Sequence, residues 1–275
     1  AAILSTKAAA ERTVAAKVAE METTTEATVP DVHGVTIETV QLGMSLRTLR
    51  VVDLDGNGTD EWLVTGDDGI ALFSPAGGRI WQHATAAAVR TVDVGDVDGD
   101  GETDIVAGCD DHRIYLLDRR GRLKWTFNCK PSQGSTDGPP AVDWVTITDL
   151  EGDGSKEIVA GANWVHVLSP DGGLRWERYM DLRRGRICGD FSCGAVADVD
   201  GDGIKEIAAL FVTSYPLLQV LDAQGDMAVP VGTGKGHRGV NIGVPVATAV
   251  LELDPDSRQQ QIVCATESDL RMAWH

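Results

Sequence analysis

The sequence is poor in aromatic residues, in positive charge and in long apolar runs. Phe, Trp and Tyr make up only 5% of its 275 residues, and 42 acidic side chains oppose 24 lysines and arginines, for a formal net charge of −18. This acidity argues against a nucleic-acid partner. No apolar run approaches the length of a membrane span, and no secretory signal is recognisable. The hydrophobic content of 43% is nevertheless enough for one extended core.

Cysteine is also scarce, with five residues and therefore an odd count. None of the spacings resembles the Cys-x-x-Cys pair of a zinc site, so no zinc is expected. Cys188 and Cys193 either close a small disulfide loop in an oxidising compartment or remain two buried thiols beside a strand. Cys109 and Cys264 follow apolar strand residues and are expected to fill the core.

One acidic nonapeptide occurs in four copies, which we call loop 1 (53–61), loop 2 (96–104), loop 3 (149–157) and loop 4 (198–206). Each copy places oxygen-bearing side chains at positions 1, 3, 5 and 9 around a glycine at position 6, a pattern with which a short loop wraps a hard divalent cation. Calcium is the expected ion, in about four sites. The predicted ligands are Asp53, Asp55, Asn57, Glu61, Asp96, Asp98, Asp100, Asp104, Asp149, Glu151, Asp153, Glu157, Asp198, Asp200, Asp202 and Glu206. Loop 1 is expected to bind more weakly because Asn57 replaces a charged ligand.

The residues after position 9 indicate strands rather than the helix of an EF-hand. Apolar, β-rich segments follow each loop directly, such as IVAG after loops 2 and 3. The first aspartates recur at intervals of 43, 53 and 49 residues, and four strands can be drawn around each loop. Trp81, Trp125 and Trp176 fall at the same place in successive fourth strands. Four-stranded units of this kind cannot bury both faces alone, and they stack radially as propeller blades.

We therefore predict an all-β fold, a β-propeller of four-stranded blades with calcium loops. The propeller is expected to be incomplete, with four clear blades and a partial fifth blade that lacks a metal loop. The propeller is expected to occupy residues 32–275, with blades at about 47–82, 88–127, 141–178, 193–229 and 245–275. Residues 1–31 are expected to form a short helix and a polar linker, and residues 35–42 an outer or closing strand. Because the sequence starts without methionine and stops within the fifth blade, we expect further polypeptide to close the propeller.

The loops followed by IVAG resemble the FG-GAP and VCBS repeats of integrin-alpha-like β-propellers, clearly over residues 47–226 and weakly beyond. The resemblance implies the fold and calcium binding far more than an activity. A second segment, LLDRRGRLKW at 116–125, is similar to quinoprotein propeller repeats. A quinoprotein would need a cofactor-stacking tryptophan and a calcium ion inside the channel, whereas these loops are predicted to lie on the rim.

Function is expected on the face opposite the loops, which carries the connections between second and third strands and between blades. The stretches 128–140, 178–190 and 232–240 are long and polar, and the last two are rich in positive charge. A cationic surface in an acidic protein suits an anionic ligand. The arginines could equally pair with Asp181 and Asp190 nearby, and the histidines and aromatics of this face could be packing residues.

The first functional hypothesis is a propeller that binds an acidic polysaccharide and cleaves it by β-elimination. This resembles propeller-type polysaccharide lyases, in which a cation neutralises a uronate carboxylate while a histidine or tyrosine transfers the proton. The candidate neutralising residues are Arg183, Arg184 and Arg186, and the candidate acid–base residues are His237, His112 and Tyr179.

The alternative hypothesis is a non-enzymatic adhesion or scaffold propeller that binds a protein partner with the same face. An integrin-like binding surface is expected to contain a hot spot rich in aromatic residues. The low aromatic content of this chain therefore gives this alternative only weak support. Under both hypotheses we expect an extracellular, periplasmic or cell-surface protein, because millimolar calcium outside the cell suits weak, rigid loop sites. Whether the chain is an enzyme stays open at this point.

Overall fold

The protein is built from short antiparallel strands that follow one another in chain order. The computed structural model describes residues 39–129, 141–162, 164–179, 190–212, 217–226, 228, 240–241, 245–252, 259–266 and 270–272. Within these ranges it contains nineteen strands and no helix. The prediction of an all-β fold is confirmed.

The strands form five sheets, and in each sheet neighbouring strands are consecutive in the chain. Sheet 1 consists of β1 (Thr48–Val52), β2 (Glu61–Gly66), β3 (Gly69–Phe73) and β4 (Arg79–His83). Sheet 2 consists of β5 (Val89–Gly95), β6 (Asp104–Cys109), β7 (Arg113–Asp118) and β8 (Leu123–Asn128). Sheet 3 consists of β9 (Trp144–Thr148), β10 (Glu157–Gly161), β11 (Trp164–Leu168) and β12 (Leu174–Tyr179). Sheet 4 consists of β13 (Asp190–Ala197), β14 (Glu206–Val212), β15 (Leu217–Leu221) and β16 (Val240–Asn241), and sheet 5 of β17 (Pro245–Leu251), β18 (Gln261–Thr266) and β19 (Leu270–Met272).

In sheet 4 the described outer strand, Val240–Asn241, pairs with β15. The sequence predicted the outer strand at 227–230, and of these residues the structure describes Ala228, which donates its backbone N–H to the carbonyl oxygen of Val220 in β15 at 3.1 Å. The rest of that prediction lies outside the described residues. Residues 39–42, the described part of the predicted closing strand 35–42, form no strand. The predicted N-terminal helix lies outside the described residues.

The sheets pack face to face around their first strands. Contacts join β1 to β5, β5 to β9, β9 to β13 and β13 to β17. The second strands β6 and β10 are buried at every position, because each lies between two neighbouring sheets. This explains why these strands read as continuous apolar runs rather than as an alternating pattern. The described strands do not close into a ring.

Separate apolar cores fill the spaces between successive sheets. Leu63 of sheet 1 belongs to one cluster with Ile105 of sheet 2, and Val106, the next residue of β6, belongs to another cluster with Ile158 of sheet 3. Two further clusters join sheet 3 to sheet 4 and sheet 4 to sheet 5. Cys109 and Cys264 are both buried in such clusters, as predicted. Cys188 lies outside the described residues, so its pairing with Cys193 stays a prediction.

The tryptophans of the fourth strands connect each sheet to the next. Trp81 donates its indole N–H to the carbonyl oxygen of Arg119 in sheet 2 at 3.2 Å. The equivalent bonds run from Trp125 to Pro170 in sheet 3 and from Trp176 to Ala223 in sheet 4, each at 2.9 Å. The recurrence of tryptophan in the sequence therefore reflects a contact between sheets.

The chain divides into two compact units, Ala1–Gln41 and Leu42–His275. All of the strands described above belong to the second unit. Among the described residues no helix is long and apolar enough to cross a membrane.

Candidate metal centres

The first aspartate of each loop organises the loop backbone. Asp53 accepts the N–H groups of Gly56 and Asn57 through Oδ1 at 2.8 and 3.0 Å, and that of Gly58 through Oδ2 at 2.8 Å. Gly56 and Gly58 have φ values of 74° and 85°, a left-handed conformation that strongly favours glycine. Asp96, Asp149 and Asp198 accept two backbone N–H groups each in the same way. The four loops therefore share one backbone design.

The acid at position 9 ties the end of the loop back to its second residue. In loop 1, Glu61 accepts the N–H of Leu54 through Oε2 at 3.0 Å. The same bond recurs at 2.9 Å to Glu157 in loop 3 and to Glu206 in loop 4. All three glutamates are buried, and Asp104, which takes this position in loop 2, is completely buried. One oxygen of each glutamate is committed to the backbone, which leaves the other for a cation.

Three of the loops gather carboxylate oxygens closely enough for a single metal ion. One oxygen from each residue lies within 4.8 Å of the others in a loop 1 group, a loop 2 group and a loop 4 group. These groups are Asp53, Asp55 and Glu61; Asp96, Asp98 and Asp100; and Asp198, Asp200 and Glu206. Loop 3 provides no such group within the described part of the chain. An all-oxygen donor set rich in carboxylates fits calcium.

The remaining predicted ligands have other contacts in the structure. The position 5 residues Asn57, Asp153 and Asp202 each accept the backbone N–H of the residue two positions further on, at 2.8 Å. Asp100 makes the same contact at 2.7 Å and also belongs to the loop 2 group. Position 5 therefore shapes the loop whether or not it also binds a metal.

Loops 2 and 3 already contain a cation that the protein itself supplies. In loop 3, Arg175 on β12 contacts Glu157 at 2.5 Å and Glu151 through two nitrogens at 2.7 Å each. In loop 2, Nζ of Lys124 on β8 lies 2.9 Å from Asp98 and 2.6 Å from Asp104. Each cation thus contacts the acids at positions 3 and 9 of its loop.

The pKa values reflect where these charges are compensated. The hydrogen bond from Lys124 lowers the pKa of Asp98, and the two acids together raise the pKa of Lys124 although burial opposes this. Burial raises the pKa of Glu206, and the charges of the other loop 4 acids raise it further. Burial also raises the pKa of Glu157 even though Arg175 opposes it. Loop 4 is therefore a cluster of like charges that a divalent ion would neutralise.

The face opposite the loops carries ion pairs that connect neighbouring sheets. Arg90 at the start of β5 contacts Asp110 of its own sheet and Asp143 before sheet 3, the latter at 2.5 Å. Arg47 contacts Asp67 at 3.1 Å and Asp110 at 3.7 Å. These arginines are only about half-buried, so each pair contributes little on its own. The described part of this face is therefore mixed in charge, and its arginines are compensated.

His112 is the predicted acid–base residue that the structure describes in full. It sits in the turn between β6 and β7 with a φ of 70°, and no other described residue besides glycine has a positive φ. Its Nδ1 is buried and has no hydrogen-bond partner among the described residues. Next to it, Tyr115 donates to Asp111 at 2.5 Å, and burial together with this contact raises the pKa of Tyr115 to about 12. A residue other than glycine held at a positive φ marks a candidate functional position.

The other predicted catalytic residues cannot be placed relative to His112. Arg183, Arg184, Arg186 and His237 lie outside the described residues, and so does Asp181. Tyr179 ends β12, but the structure does not describe its side chain. The catalytic assignments therefore stay predictions.

Sequence reasoning missed Lys124 and Arg175 as partners of the loops. Both directly precede a fourth-strand tryptophan, in the segments LKW and LRW, whereas sheet 1 has RIW with Ile80 at the same place. The basic character of this position in two of three repeats was the available signal. It carries no indication by itself that the side chain reaches back to the acids of the loop.

Comparison with known proteins identifies the repeat. Residues 96–160 match the FG-GAP-like repeat family. This stretch contains loops 2 and 3 and the strands between them. The chain therefore carries FG-GAP-like repeats, as the sequence predicted. No curated protein gives a significant match.

Solved structures share the fold at low sequence identity. The chain is similar to BBS1N crystallised in complex with ARL6DN, with a TM-score of 0.55 and 15% identity over 83% of this chain and 64% of that chain. It is also similar to the exotype rhamnogalacturonan lyase YesX, with a TM-score of 0.50 and 19% identity over 82% of this chain and 45% of that chain. The chain thus spans less than two thirds of either structure. At these identities the likeness shows the propeller fold alone.

Proposed function

We propose that this chain is a calcium-stabilised β-propeller module that binds a protein partner through the face opposite its loops. The observation that carries the calcium part is the recurrence of carboxylate groups at one edge of sheets 1, 2 and 4. The same backbone hydrogen bonds hold these groups in each loop. Calcium bound only by the folded chain would stabilise it by mass action. We place the protein in a calcium-rich compartment outside the cell.

The charge pattern of the described face supports a binding role without catalysis. A lyase needs a cation that is free to neutralise a substrate carboxylate. Arg47 and Arg90 instead face aspartates, and Arg113 bonds to Asn128 through Nε and lies 3.9 Å from Asp111. A surface of alternating compensated charges suits a polar protein surface of complementary pattern. The BBS1N propeller, crystallised with the protein ARL6DN, offers a precedent for such a role on this fold.

Acidic polysaccharide binding, with or without cleavage, is the second candidate. His112 supports it, because a strained histidine with a buried ring nitrogen lies on the expected face. The likeness to a rhamnogalacturonan lyase is compatible with this candidate at the level of fold. The neutralising cations would then come from Arg183, Arg184 or Arg186.

One experiment separates the two candidates. The protein is incubated in calcium with a panel of uronic-acid polymers, while ultraviolet absorbance records the unsaturated product of β-elimination and calorimetry records binding. The binding-module proposal predicts no product from any polymer. Product that disappears in His112→Ala would establish the lyase, and binding without product would establish a non-catalytic polysaccharide-binding module. If the protein neither binds any polymer nor forms product, the result supports a protein partner.

A further inference from the structure

In sheets 1, 2 and 3 the residue before the fourth-strand tryptophan is the extra residue of a β-bulge. In sheet 1 the pairing steps from Leu72 opposite Trp81 to Phe73 opposite Arg79, so that Ile80 has no partner on β3. The same step skips Lys124 in sheet 2 and Arg175 in sheet 3. A bulge redirects the side chain of its extra residue. Ile80, Lys124 and Arg175 are therefore equivalent positions, set by the same irregularity in three sheets.

Arg175 binds the acids at positions 3 and 9 of loop 3. Its guanidinium binds Glu151 with two nitrogens at 2.7 Å each, and one of these nitrogens also lies 2.5 Å from the buried Glu157. A planar guanidinium that binds a carboxylate with two parallel bonds holds it strongly, and arginine stays charged at any accessible pH. The acids at positions 3 and 9 are therefore occupied, which agrees with the absence of a metal-sized oxygen group in the described residues of loop 3.

Lys124 fills loop 2 only in part. Its ammonium group contacts Asp98 and Asp104, but the loop 2 oxygen group consists of Asp96, Asp98 and Asp100 and does not include Asp104. An ammonium group is a single point charge on a flexible stem, so it can move aside more readily than a guanidinium. Loop 2 therefore retains an oxygen group while one of its acids faces a protein cation.

Ile80, at the bulge of sheet 1, provides no such charge to loop 1. It lines a cavity of about 300 Å³ together with Asp55 and Glu61, the acids at positions 3 and 9 of that loop. The cavity thus lies where the basic side chains reach their acids in sheets 2 and 3. Arg119 and Arg120 of sheet 2 line the cavity as well, and Arg119 contacts the backbone carbonyl of Asp55 at 3.3 Å and the carboxylate of Glu102 at 2.7 Å.

We propose that the residue at this bulge decides which loops take a divalent cation. This rests on the calcium-stabilised propeller proposed above. Arg175 is the built-in cation of loop 3, and that loop binds no calcium. Lys124 weakens calcium binding at loop 2, and Ile80 leaves loop 1 open. The acidic repeat alone therefore overstates the number of sites, and the chain binds three calcium ions, at loops 1, 2 and 4.

Calcium stoichiometry measured by calorimetry tests this assignment in three variants. Arg175→Ile copies the residue of sheet 1 and is expected to bind one more ion than the unmodified protein. Ile80→Arg, at a side chain that is 54% exposed, is expected to bind one fewer. Arg178→Ile is the matched control: Arg178 lies on the same strand as Arg175 but pairs with Asp226 at 3.5 Å, so the count should not change.

The change in stoichiometry decides this inference, whereas the absolute stoichiometry decides the calcium proposal. An unmodified protein that binds no calcium would contradict the proposed function, yet a gained ion in Arg175→Ile would still support the role of Arg175. An Arg175→Ile variant that melts cooperatively but binds the same number of ions would overturn the inference. If that variant does not fold, an unchanged count in Ile80→Arg overturns it instead. Lys124→Ile is expected to tighten calcium binding at loop 2 by about tenfold or more.

Discussion

Trp125 of sheet 2 and Gly172 of sheet 3 are in direct contact across the boundary between their sheets. A Cβ atom on Gly172 would lie 2.8 Å from Cδ2 of the Trp125 ring, and the φ of Gly172 is 83°. The indole N–H meanwhile bonds to Pro170 in the same turn. Gly121 and Gly225 stand in the same relation to Trp81 and Trp176. A glycine packed against the ring of the preceding sheet's tryptophan therefore joins sheet 1 to sheet 2, sheet 2 to sheet 3 and sheet 3 to sheet 4.

Gly172→Ala is expected to destabilise the protein by about 2–4 kcal/mol, because backbone strain and the clash with the ring of Trp125 act together. Thermal or urea unfolding measures this loss. Gly154→Ala, in loop 3, is the matched control, because Gly154 has a φ of 92° but no atom of the described residues within 4 Å of its Cβ position. The control should be destabilised only by the backbone strain, by about 1–2 kcal/mol. Equal losses in the two variants would show that the ring contact contributes nothing.

The sheets were predictable from the sequence because each repeat contains the same acidic loop followed by the same apolar strand. The strand after each loop is a short apolar run, and the four acidic loops fix its start. The position of Trp125 at equal register in successive sheets could also be read from its spacing. Its partner in the next sheet could not, because the contact joins residues 45 positions apart and depends on the turn that presents Pro170.

The candidate sites were predictable only as sets of oxygen ligands. The sequence marks Glu157 and Glu206 as equivalent, yet Glu157 faces Arg175 and Glu206 belongs to an oxygen group. This difference depends on a one-residue bulge between β11 and β12, which shifts the register beside Leu168. The alternation of residue types along β12 does not show the bulge. The sequence therefore does not show that Arg175 contacts the acids of loop 3.

A second prediction concerns the turn between β7 and β8. Burial opposes ionisation of Asp118, but hydrogen bonds from Arg122 and Arg120 and the charge of Arg122 lower its pKa overall. A lowered pKa in the folded state means that the carboxylate stabilises the protein above the pKa of the unfolded chain, about 3.9, and that this contribution disappears as the pH falls through the folded value. Asp118→Asn should therefore lose about 1–3 kcal/mol at pH 7.

The pH dependence of unfolding checks this assignment. The difference between the unmodified protein and Asp118→Asn should shrink steadily once the pH falls below about 4. Asp226→Asn serves as the control, because its side chain is 77% exposed and its contact with Arg178 is 3.5 Å long, so little change is expected at any pH. A loss in Asp118→Asn that stays constant from pH 7 to low pH would show that packing, not charge, is responsible.

His112 provides a third prediction, which separates strain from function. Its φ of 70° is costly for any residue with a Cβ atom. His112→Gly and His112→Ala both remove the imidazole, but only glycine relieves the backbone. The glycine variant should therefore be more stable than the alanine variant by about 1 kcal/mol. Denaturant unfolding of the two variants measures the difference, and an alanine variant that is equally stable would show that the turn relaxes without strain.

The last prediction contrasts two glutamates at the same position of different loops. Removing calcium with a chelator should lower the melting temperature, since an ion at a hundred times its dissociation constant stabilises the folded state by about 2.7 kcal/mol per site. Glu206→Gln should reduce this calcium-dependent difference by about one site, because Glu206 belongs to the loop 4 oxygen group. Glu157→Gln should leave the difference unchanged, because Glu157 is paired with Arg175 instead.

Both glutamates also accept a backbone N–H of their own loop at 2.9 Å, from Leu150 and from Val199, and the amide oxygen of glutamine can still accept it, so each variant is compared with its own melting temperature in chelator. The informative quantity is therefore the shift between calcium and chelator for each variant, measured by calorimetry. The shift isolates the metal because any change in the backbone contact affects both conditions equally. A shift that falls by the same amount in Glu157→Gln and Glu206→Gln would mean that loop 3 binds calcium despite its arginine.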